Sequence, residues 1–243
     1  MYKDVFMKDL TSKVRAAIDQ FDMIDENDSI AVCVSGGKDS VFLLYALNEI
    51  KKYYPKKFNL SALTVDPGFP GKSSYTEIRE FCRKNNINYL IKETQMYEII
   101  FNVRKEKNPC SLCSRMRRGI LHSCAKEIGC NKIALGHHFD DVVETLIMNL
   151  FNNGDISCFS PVTYLSRKNI HVIRPLIYCK ESNISNFISS HNLPVVKSLC
   201  PADKRTQRET TKKLLANLEN DYPNLKKNIF TAIKKANLKG WHN

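Results

Sequence analysis

The sequence predicts an α/β fold, in which a parallel sheet is sandwiched by helices and followed by a short helical C-terminal extension. Short apolar runs of strand length alternate with longer segments of helical periodicity as far as about residue 180. Beyond that residue the strand signals stop and only helical patterns follow. We therefore expect an α/β domain over residues 1–180 and a helical region over residues 181–243.

Each predicted strand is a short apolar run bounded by polar, glycine or proline residues. The run over residues 30–34 is apolar throughout, as expected of a parallel strand that is buried on both faces. The predicted strands are 30–34, 58–65, 89–92, 132–136 and 172–174. The predicted helices are 7–22, 41–52, 74–86, 140–151, 181–191, 204–220 and 223–237, and a further helix begins at Ser114.

The composition is that of an ordinary globular protein, since 43% of the 243 residues are hydrophobic and 26% are charged. No apolar run approaches the roughly 20 residues that a membrane span needs. The first residues carry charges where a signal peptide is apolar, so we expect a cytoplasmic protein with no membrane partner. Nine cysteines in a reducing compartment, an odd number, indicate free thiols rather than a disulfide framework.

The net charge of +12 and the sequence pI near 9.2 indicate a polyanionic partner, most simply a nucleic acid. Lysines and arginines crowd the predicted C-terminal helices. They form either solvated helix faces or part of an RNA-binding surface.

The turn after the first predicted strand carries the most informative motif of the sequence. Its residues are Ser35, Gly36, Gly37, Lys38, Asp39 and Ser40. Glycines in a strand-to-helix turn let backbone N–H groups approach phosphates, and the helix N-terminus adds partial positive charge. The motif resembles the SGGxDS signature of PP-loop ATP pyrophosphatases, which cleave ATP between the α and β phosphates and adenylate an oxygen. We predict that all six residues bind ATP and that Lys38 and Asp39 are catalytic.

A second motif, G-H-H-F-D-D at residues 136–141, follows the fourth predicted strand. The carboxyl ends of parallel strands form the ligand-binding edge of such sheets, so we expect Gly136 and His137 to bind ATP. Asp140 and Asp141 either hold the Mg²⁺ that accompanies ATP or cap the following helix, and Asp141 is also predicted to be catalytic. Asp66, at the end of the second strand, is predicted to contact ATP as well.

Three cysteines differ from the others because they lie in loop settings. Cys110 and Cys113 form a C-x-x-C motif, and Cys200 lies in a later loop. A C-x-x-C motif is compatible with half a zinc site, a redox pair or two ligands of an iron–sulfur cluster. Three thiolates leave one coordination position open, which suits a [4Fe–4S] cluster with a unique iron or a zinc ion with an exchangeable ligand.

Residues 109–121, 132–141 and 173–179 together resemble the tRNA 2-thiocytidine synthetase (TtcA) family, and the similarity extends over about residues 10–225. The resemblance implies a tRNA sulfurtransferase that adenylates C2 of a cytidine, at position 32 of the anticodon loop, and replaces its oxygen with sulfur to give 2-thiocytidine. It also implies a [4Fe–4S] cluster held by Cys110, Cys113 and Cys200.

The expected cofactors are therefore ATP, Mg²⁺ and the [4Fe–4S] cluster. The expected partners are tRNA and a sulfur donor such as a cysteine desulfurase, and we also consider a homodimer. We predict that three arginines bind RNA phosphates: Arg115, Arg117 and Arg118. The later loop keeps only Cys200 where the family often has a second C-x-x-C, and the segment 66–70 is short for the family.

Three other functions remain open from the residues alone. The first is a PP-loop RNA-modifying ligase with a structural zinc at the cysteines. The second is a thiouridylase that carries sulfur as a persulfide on Cys110 or Cys113, without a cluster. The third is a non-catalytic RNA-binding protein, against which the intact motifs at 35–40 and 136–141 argue.

Overall fold

The computed structural model describes residues 2–71, 74–202 and 206–241, with side chains from residue 9 onward. Within these residues six strands form one sheet in the order β3-β2-β1-β4-β6-β5. All neighbouring pairs are parallel except β5 and β6, which form an antiparallel hairpin at one edge. The strands are β1 Asp28–Cys33, β2 Phe58–Asp66, β3 Asn88–Glu93, β4 Lys132–Ala134, β5 Val162–Leu165 and β6 Ile170–Ile173.

Eight α-helices and one π-helical segment, Glu98–Val103, connect and follow the strands in the described part of the protein. The α-helices are α1 Tyr2–Gln20, α2 Lys38–Lys51, α3 Thr76–Lys84, α4 Pro109–Glu127, α5 Phe139–Asn153, α6 Glu181–His191, α7 Gln207–Asp221 and α8 Leu225–Lys235. No helix among the described residues is both long enough and apolar enough to cross a membrane.

The helices are divided unequally between the two faces of the sheet. Alternate strand residues point to opposite faces, and Ile30 and Val32 pack with α1, α2, α3 and α5–α8 in one large core. Ala31 and Cys33 face the other way, into a smaller core formed with α4 and the π-helical segment. The side of α4 that faces away from the sheet is therefore part of the protein surface.

The strand order reverses between β1 and β4, and this reversal positions the functional site. After β1 the chain adds β2 and then β3 on one side of β1. It then returns to add β4 on the other side of β1, and β6 lies beyond β4. A crevice opens at the carboxyl ends of such neighbouring strands, where open α/β sheets bind ligands. The S-G-G-K-D-S turn follows β1 and the G-H-H-F-D-D turn follows β4, so the fold brings both motifs to this crevice.

The predicted fold class is confirmed, and the differences from the sequence predictions are local. The hairpin strand β5 and the π-helical segment were not predicted, and α4 begins at Pro109 rather than at Ser114. The start of the predicted helix 204–220 lies partly outside the described residues, and α7 begins at Gln207. The domain boundary at residue 180 stays a prediction; α6, α7 and α8 share the large core with the α/β part.

Candidate functional site

A cavity of about 630 Å³ lies at the carboxyl ends of the strands. It brings together most of the predicted site residues. Its walls include Ser35, Gly37, Asp39 and Ser40 of the first turn, Gly136, His137 and Asp141 of the second, and Cys110, Cys113 and Cys200. One space of this size accommodates a ligand of nucleotide size.

Gly36 lets the first turn pass under the segment that leads to Cys200. Its φ of +88° lies in the region that side chains disfavour, and a Cβ there would lie 2.8 Å from Val196 Cβ. The N–H of Val196 donates to the Gly36 carbonyl oxygen over 2.9 Å, so the contact continues through the backbone. The segment 193–200 is thereby fixed over the phosphate-binding turn.

A Gly36→Ala substitution is expected to lower the free energy of unfolding by about 1–2 kcal/mol, because it combines a positive φ with a steric clash. Gly119 is the matched control, since it is helical and a Cβ there meets nothing within 4 Å. Gly119→Ala is expected to stabilise the protein by about 0.5–1 kcal/mol. Chemical denaturation of both variants checks this, and a Gly36→Ala protein as stable as Gly119→Ala would contradict it.

Ser40 stabilises the conformation of the first turn. Its hydroxyl donates to the Gly37 carbonyl oxygen over 2.8 Å and accepts from the Ser35 N–H over 3.1 Å. The N-terminus of α2 follows directly, with Gly37 as its N-cap. Gly136 allows the second turn to approach closely, because a Cβ there would lie 3.1 Å from the carbonyl carbon of Asp39. The two turns are packed backbone against backbone.

Lys38 lies at the first position of α2, and its ammonium group is positioned by two carboxylates. Its Nζ is 2.8 Å from Glu181 Oε1 and 3.2 Å from Asp39 Oδ2. The other oxygen of Glu181, Oε2, lies 2.6 Å from Lys212 Nζ on α7. Burial alone would raise the pKa of Glu181, but hydrogen bonds from Lys212 and Lys38 lower it to about 2. Lys38 is therefore a fixed cation at the N-terminus of α2.

Asp39 presents an oxygen with no hydrogen-bond partner among the described residues. Its Oδ1 is buried, and the imidazole nitrogen His138 Nε2 lies 3.9 Å away. Burial raises the pKa of Asp39, although the charges of His138 and Lys38 offset part of this effect. A buried carboxylate oxygen without a partner is costly, so this atom is available to a ligand or a metal ion.

Asp141 and His138 cap α5 reciprocally. The His138 N–H donates to Asp141 Oδ2 over 2.9 Å, and the Asp141 N–H donates to His138 Nδ1 over 3.4 Å. Arg208 on α7 also donates a hydrogen bond to Asp141. Burial raises the pKa of Asp141, but the charges of His138 and Arg208 outweigh it and hold the pKa below its usual range. Asp141 therefore lines the cavity as an ionised carboxylate.

Asp140 joins three helices. One oxygen, Oδ1, lies 3.1 Å from Lys226 Nζ on α8, and the other accepts the Glu181 N–H of α6 over 2.8 Å. Only 8% of Asp140 is exposed. These contacts anchor α6 and α8 to the start of α5.

Glu144 lies one turn further along α5 and is 3% exposed. Its Oε2 is 3.5 Å from Arg208 Nη1. Burial, together with the charge of Asp141, raises the pKa of Glu144 from its ordinary 4.5 to about 7. As the pH rises from about 4.5 to about 7, the unfolded protein loses this proton while the folded protein keeps it. The free energy of unfolding therefore falls over that range.

Glu144→Gln removes this titration, so the melting temperature of the variant relative to the wild type should be unchanged below pH 4.5 and higher by about 7–14 °C at pH 8. The exposed Glu77 on α3 supplies the control Glu77→Gln. Melting curves of both variants across pH 4–8 measure the effect. A Glu144→Gln advantage that did not change with pH would contradict it.

His137 lines the cavity, whereas Asp66 lies beside it and is not one of the lining residues. The His137 ring lies 4.9 Å from the Phe159 ring, and its Nδ1 is buried without a hydrogen-bond partner among the described residues. Burial lowers the pKa of His137 to about 4, so the ring is neutral at pH 7. Asp66 Oδ1 accepts the Gly68 N–H over 2.9 Å, so its carboxylate stabilises the turn that follows β2. Its two neighbours in the sequence, Val65 and Pro67, line the cavity.

The three cysteines reach the cavity from two directions. Pro109 begins α4, so Cys110 and Cys113 lie near its N-terminus, where the helix dipole favours negative charge. Cys200 approaches from the segment that passes over Gly36. Burial raises the pKa of Cys113, and the charge of Arg117 opposes this, with Arg117 Nη2 3.9 Å from Cys113 Sγ. Arg117 therefore points into the cavity, with its Nε buried and without a partner among the described residues.

These residues fit a [4Fe–4S] cluster in their donor chemistry. Three thiols at one cavity leave an open coordination position, and the guanidinium of Arg117 with the α4 N-terminus offsets the negative charge of a thiolate-ligated cluster. Among the described residues, no three His, Cys, Asp or Glu side chains lie closely enough together to hold a single metal ion.

Comparisons with known proteins agree with this site. A PP-loop domain family matches residues 8–218. A tRNA-cytidine(32) 2-sulfurtransferase of Citrifermentans bemidjiense is 37% identical over 236 residues, or 96% of this chain and 92% of the relative. Another, of Syntrophotalea carbinolica, is 40% identical over 231 residues, or 93% and 87%. The chain belongs to the tRNA-cytidine(32) 2-sulfurtransferase family. The predicted resemblance and the prediction of an enzyme are confirmed.

Solved structures support the same family placement. The U34-tRNA thiolase NcsA from Methanococcus maripaludis with its [4Fe-4S] cluster is similar with a TM-score of 0.79 and 30% identity, over 96% of this chain and 79% of the thiolase. An NH₃-dependent NAD synthetase from Campylobacter jejuni, with 14% identity and a TM-score of 0.51, shares the fold alone.

For this member of the 2-sulfurtransferase family, sequence reasoning missed four residues at the site. They are Glu181, Arg208 and Lys226, which pair with residues of the two turns, and Lys212, which pairs with Glu181. All four lie in the C-terminal helices, where lysine and arginine are common, so charge alone does not single them out. The predicted roles of the cavity residues stay predictions. The ion pairs show which charged side chains already have a partner within the protein.

Proposed function

We propose that this enzyme thiolates tRNA at C2 of cytidine 32 in an ATP-dependent and iron–sulfur-dependent reaction that yields 2-thiocytidine. The observation that carries the proposal is the single cavity, which is lined by both the PP-loop and the three cysteines. Such a cavity allows activation of the base and delivery of sulfur without release of the activated base. The names of the curated relatives and of the thiolase neighbour support the substrate and the cluster.

ATP is bound by the first turn. Its backbone N–H groups and the N-terminus of α2 receive the phosphates, and Lys38 neutralises charge on them. The C2 oxygen of the cytidine attacks the α phosphorus, pyrophosphate leaves, and the base becomes an O-adenylate. Lys38 is held in place for this step by Glu181, so its position does not depend on ATP.

Mg²⁺ is proposed to accompany ATP beside Asp39, whose buried Oδ1 has no partner among the described residues. Asp141 lines the same cavity and is ionised, so it is the second candidate. Asp140 is a weaker candidate than the sequence suggests, because Lys226 and the Glu181 N–H already occupy its two oxygens.

Cys110, Cys113 and Cys200 are proposed to hold the [4Fe–4S] cluster, which when bound supplies activated sulfide for substitution at C2. Arg117 holds countercharge beside Cys113. Replacement of the adenylated oxygen by sulfur releases AMP. The target base has to leave its stack to enter this cavity, as is usual when an enzyme modifies a base.

The sulfur donor and the cellular compartment are also proposals. A cysteine desulfurase is the class of enzyme proposed to donate the sulfur. It delivers persulfide sulfur, which a thiol reductant has to reduce by two electrons to the sulfide that is used at C2. The nine cysteines, all free in the structure, fit a reducing compartment such as the cytoplasm. A homodimer stays a prediction.

The proposal is tested with anaerobically reconstituted protein, an unmodified tRNA transcript, ATP, Mg²⁺ and sulfide, followed by nucleoside mass spectrometry. We expect 2-thiocytidine at position 32 that requires ATP. Thiolation of a uridine, or thiolation by iron-free protein, would favour the persulfide alternative. Release of pyrophosphate with an amine instead of sulfur incorporated would favour the ligase alternative.

A further inference from the structure

The outer face of α4 carries three cations and a histidine at helical spacing. From Pro109 to Lys126 the helix contains no acidic residue. Arg115, Arg118, His122 and Lys126 are spaced by three or four residues and so lie on one side of the helix. The opposite side is buried against the sheet. We call the four residues, with Arg167 and Lys168 of the β5–β6 turn, the α4 basic face.

The β5–β6 turn extends the α4 basic face beyond the end of the helix. Lys126 Nζ donates to the Lys168 carbonyl oxygen over 3.4 Å, which joins the turn to the last turn of α4. His122 lies close enough to Arg118 and Lys168 for both charges to act on it. From Arg115 to Lys126 the helix rises about 17 Å, so the face is several phosphates long.

The cations of the α4 basic face are not neutralised by carboxylates of the described residues. Arg115, Arg118, Lys126, Arg167 and Lys168 are exposed, and none forms an ion pair with a described residue. Three cations of α7 and α8 differ, because Arg208, Lys212 and Lys226 are paired with carboxylates around the ATP site. Lys234 lies over the Tyr178 ring. Many cations of the C-terminal helices are thus already engaged.

The α4 basic face also leads to the reaction site. Arg118 lines the cavity wall, and Cys110 and Cys113 lie near the N-terminus of the same helix. The three arginines that the sequence groups together are therefore separated by the structure. Arg115 is exposed, Arg118 is exposed at the edge of the cavity, and Arg117 points to Cys113 inside the cavity.

We propose that the α4 basic face binds the sugar-phosphate backbone of the tRNA and guides the target nucleotide into the cavity at Arg118. The proposal rests on the proposed tRNA substrate. Phosphate contacts of this kind fix register and orientation, and their contribution to affinity depends on salt. The RNA path then runs over α4 and the β5–β6 turn, on the face of the sheet opposite to α7 and α8.

The test compares two double variants with equal loss of charge, Arg115→Gln/Lys126→Gln and Lys227→Gln/Lys235→Gln. Lys227 and Lys235 are exposed on α8 and form no ion pair with a described residue. Affinity for the unmodified tRNA transcript is measured for the reconstituted protein at several salt concentrations. Melting temperature and iron content confirm that both variants are folded and loaded.

We expect the α4 double variant to bind tRNA about tenfold more weakly at 0.1 M salt, a concentration of about physiological order. The slope of log affinity against log salt should fall by roughly 0.7–0.9 for each phosphate that the variant no longer binds. The α8 variant should stay within about twofold of the wild type. Unchanged binding by the α4 variant, or an equal loss in the α8 variant, would overturn the proposal.

Nucleoside analysis of the same tRNA separates this proposal from the proposed function. Wild-type protein that binds tRNA through α4 but forms no 2-thiocytidine would contradict the function and leave the binding surface standing. Wild-type thiolation together with unimpaired binding by the α4 variant would remove the binding surface alone.

Discussion

A Cys200→Ala variant is expected to fold and to bind tRNA but to lose the cluster and the thiolation activity. Cys200 is the proposed ligand that is separate in sequence from the C-x-x-C, and the segment that carries it contacts Gly36 through Val196. Replacing an outer-shell partner of a metal costs about 10–100-fold, so loss of a direct ligand should reduce 2-thiocytidine formation by at least about 100-fold.

Iron and sulfide content and nucleoside analysis measure this effect. Cys158→Ala is the matched control, because Cys158 is also half-buried but lies outside the cavity wall, and burial raises its pKa to about 11. The control should retain iron and activity. A Cys200→Ala protein with a full complement of iron would rule out the three-cysteine site.

The second large effect is expected for Lys38→Met. This change removes the positive charge that we propose acts on the phosphates from the first turn, so tRNA-dependent release of pyrophosphate should fall by about 100–1,000-fold. Binding of tRNA should persist, because the α4 basic face is unaffected. The measurement is pyrophosphate release with saturating tRNA, at several ATP concentrations.

Lys212→Met is the control for Lys38→Met, since both lysines share Glu181 as their partner. If the loss came only from leaving Glu181 with one cation fewer, the two variants would be impaired equally. We expect Lys212→Met to lower stability and to retain most of the activity. Equal loss in both variants would show that Lys38 acts through the ion-pair network rather than on ATP.

The parts of the site that the sequence predicts are those encoded within one short segment. The S-G-G-K-D-S turn and the C-x-x-C carry their chemistry in adjacent residues, and the position of each turn after a strand indicates where it lies in a parallel sheet. Cys200 was identified because it differs in setting from the other cysteines and because the family resemblance includes it.

The contacts of the site that the sequence does not predict join residues that are far apart in the sequence. Lys38 and Glu181 are 143 residues apart, and Asp141 and Arg208 are 67 apart, so no local pattern joins them. The same holds for Asp140, whose carboxylate suggested a metal ligand but which pairs with Lys226. Burial decides which charges pair, and burial follows from the packing of α6, α7 and α8 on α5 and α2.

Two short elements, β5 and the π-helical segment, are not predicted by the sequence, for physical reasons. Strand β5 has four residues and is only partly buried at the edge of the sheet, so it lacks the apolar run that marks the central strands. The π-helical segment Glu98–Val103 has no distinctive sequence period at six residues. Neither element changes the position of the cavity.

The central claim is that one cavity joins an ATP site to a [4Fe–4S] cluster. It is tested most directly by iron and acid-labile sulfide analysis of anaerobically purified protein, together with its visible absorption spectrum. The account predicts about four iron atoms and four sulfides per protein molecule, with broad visible absorption. One zinc per molecule without sulfide would contradict it, and would assign Cys110, Cys113 and Cys200 to a structural site.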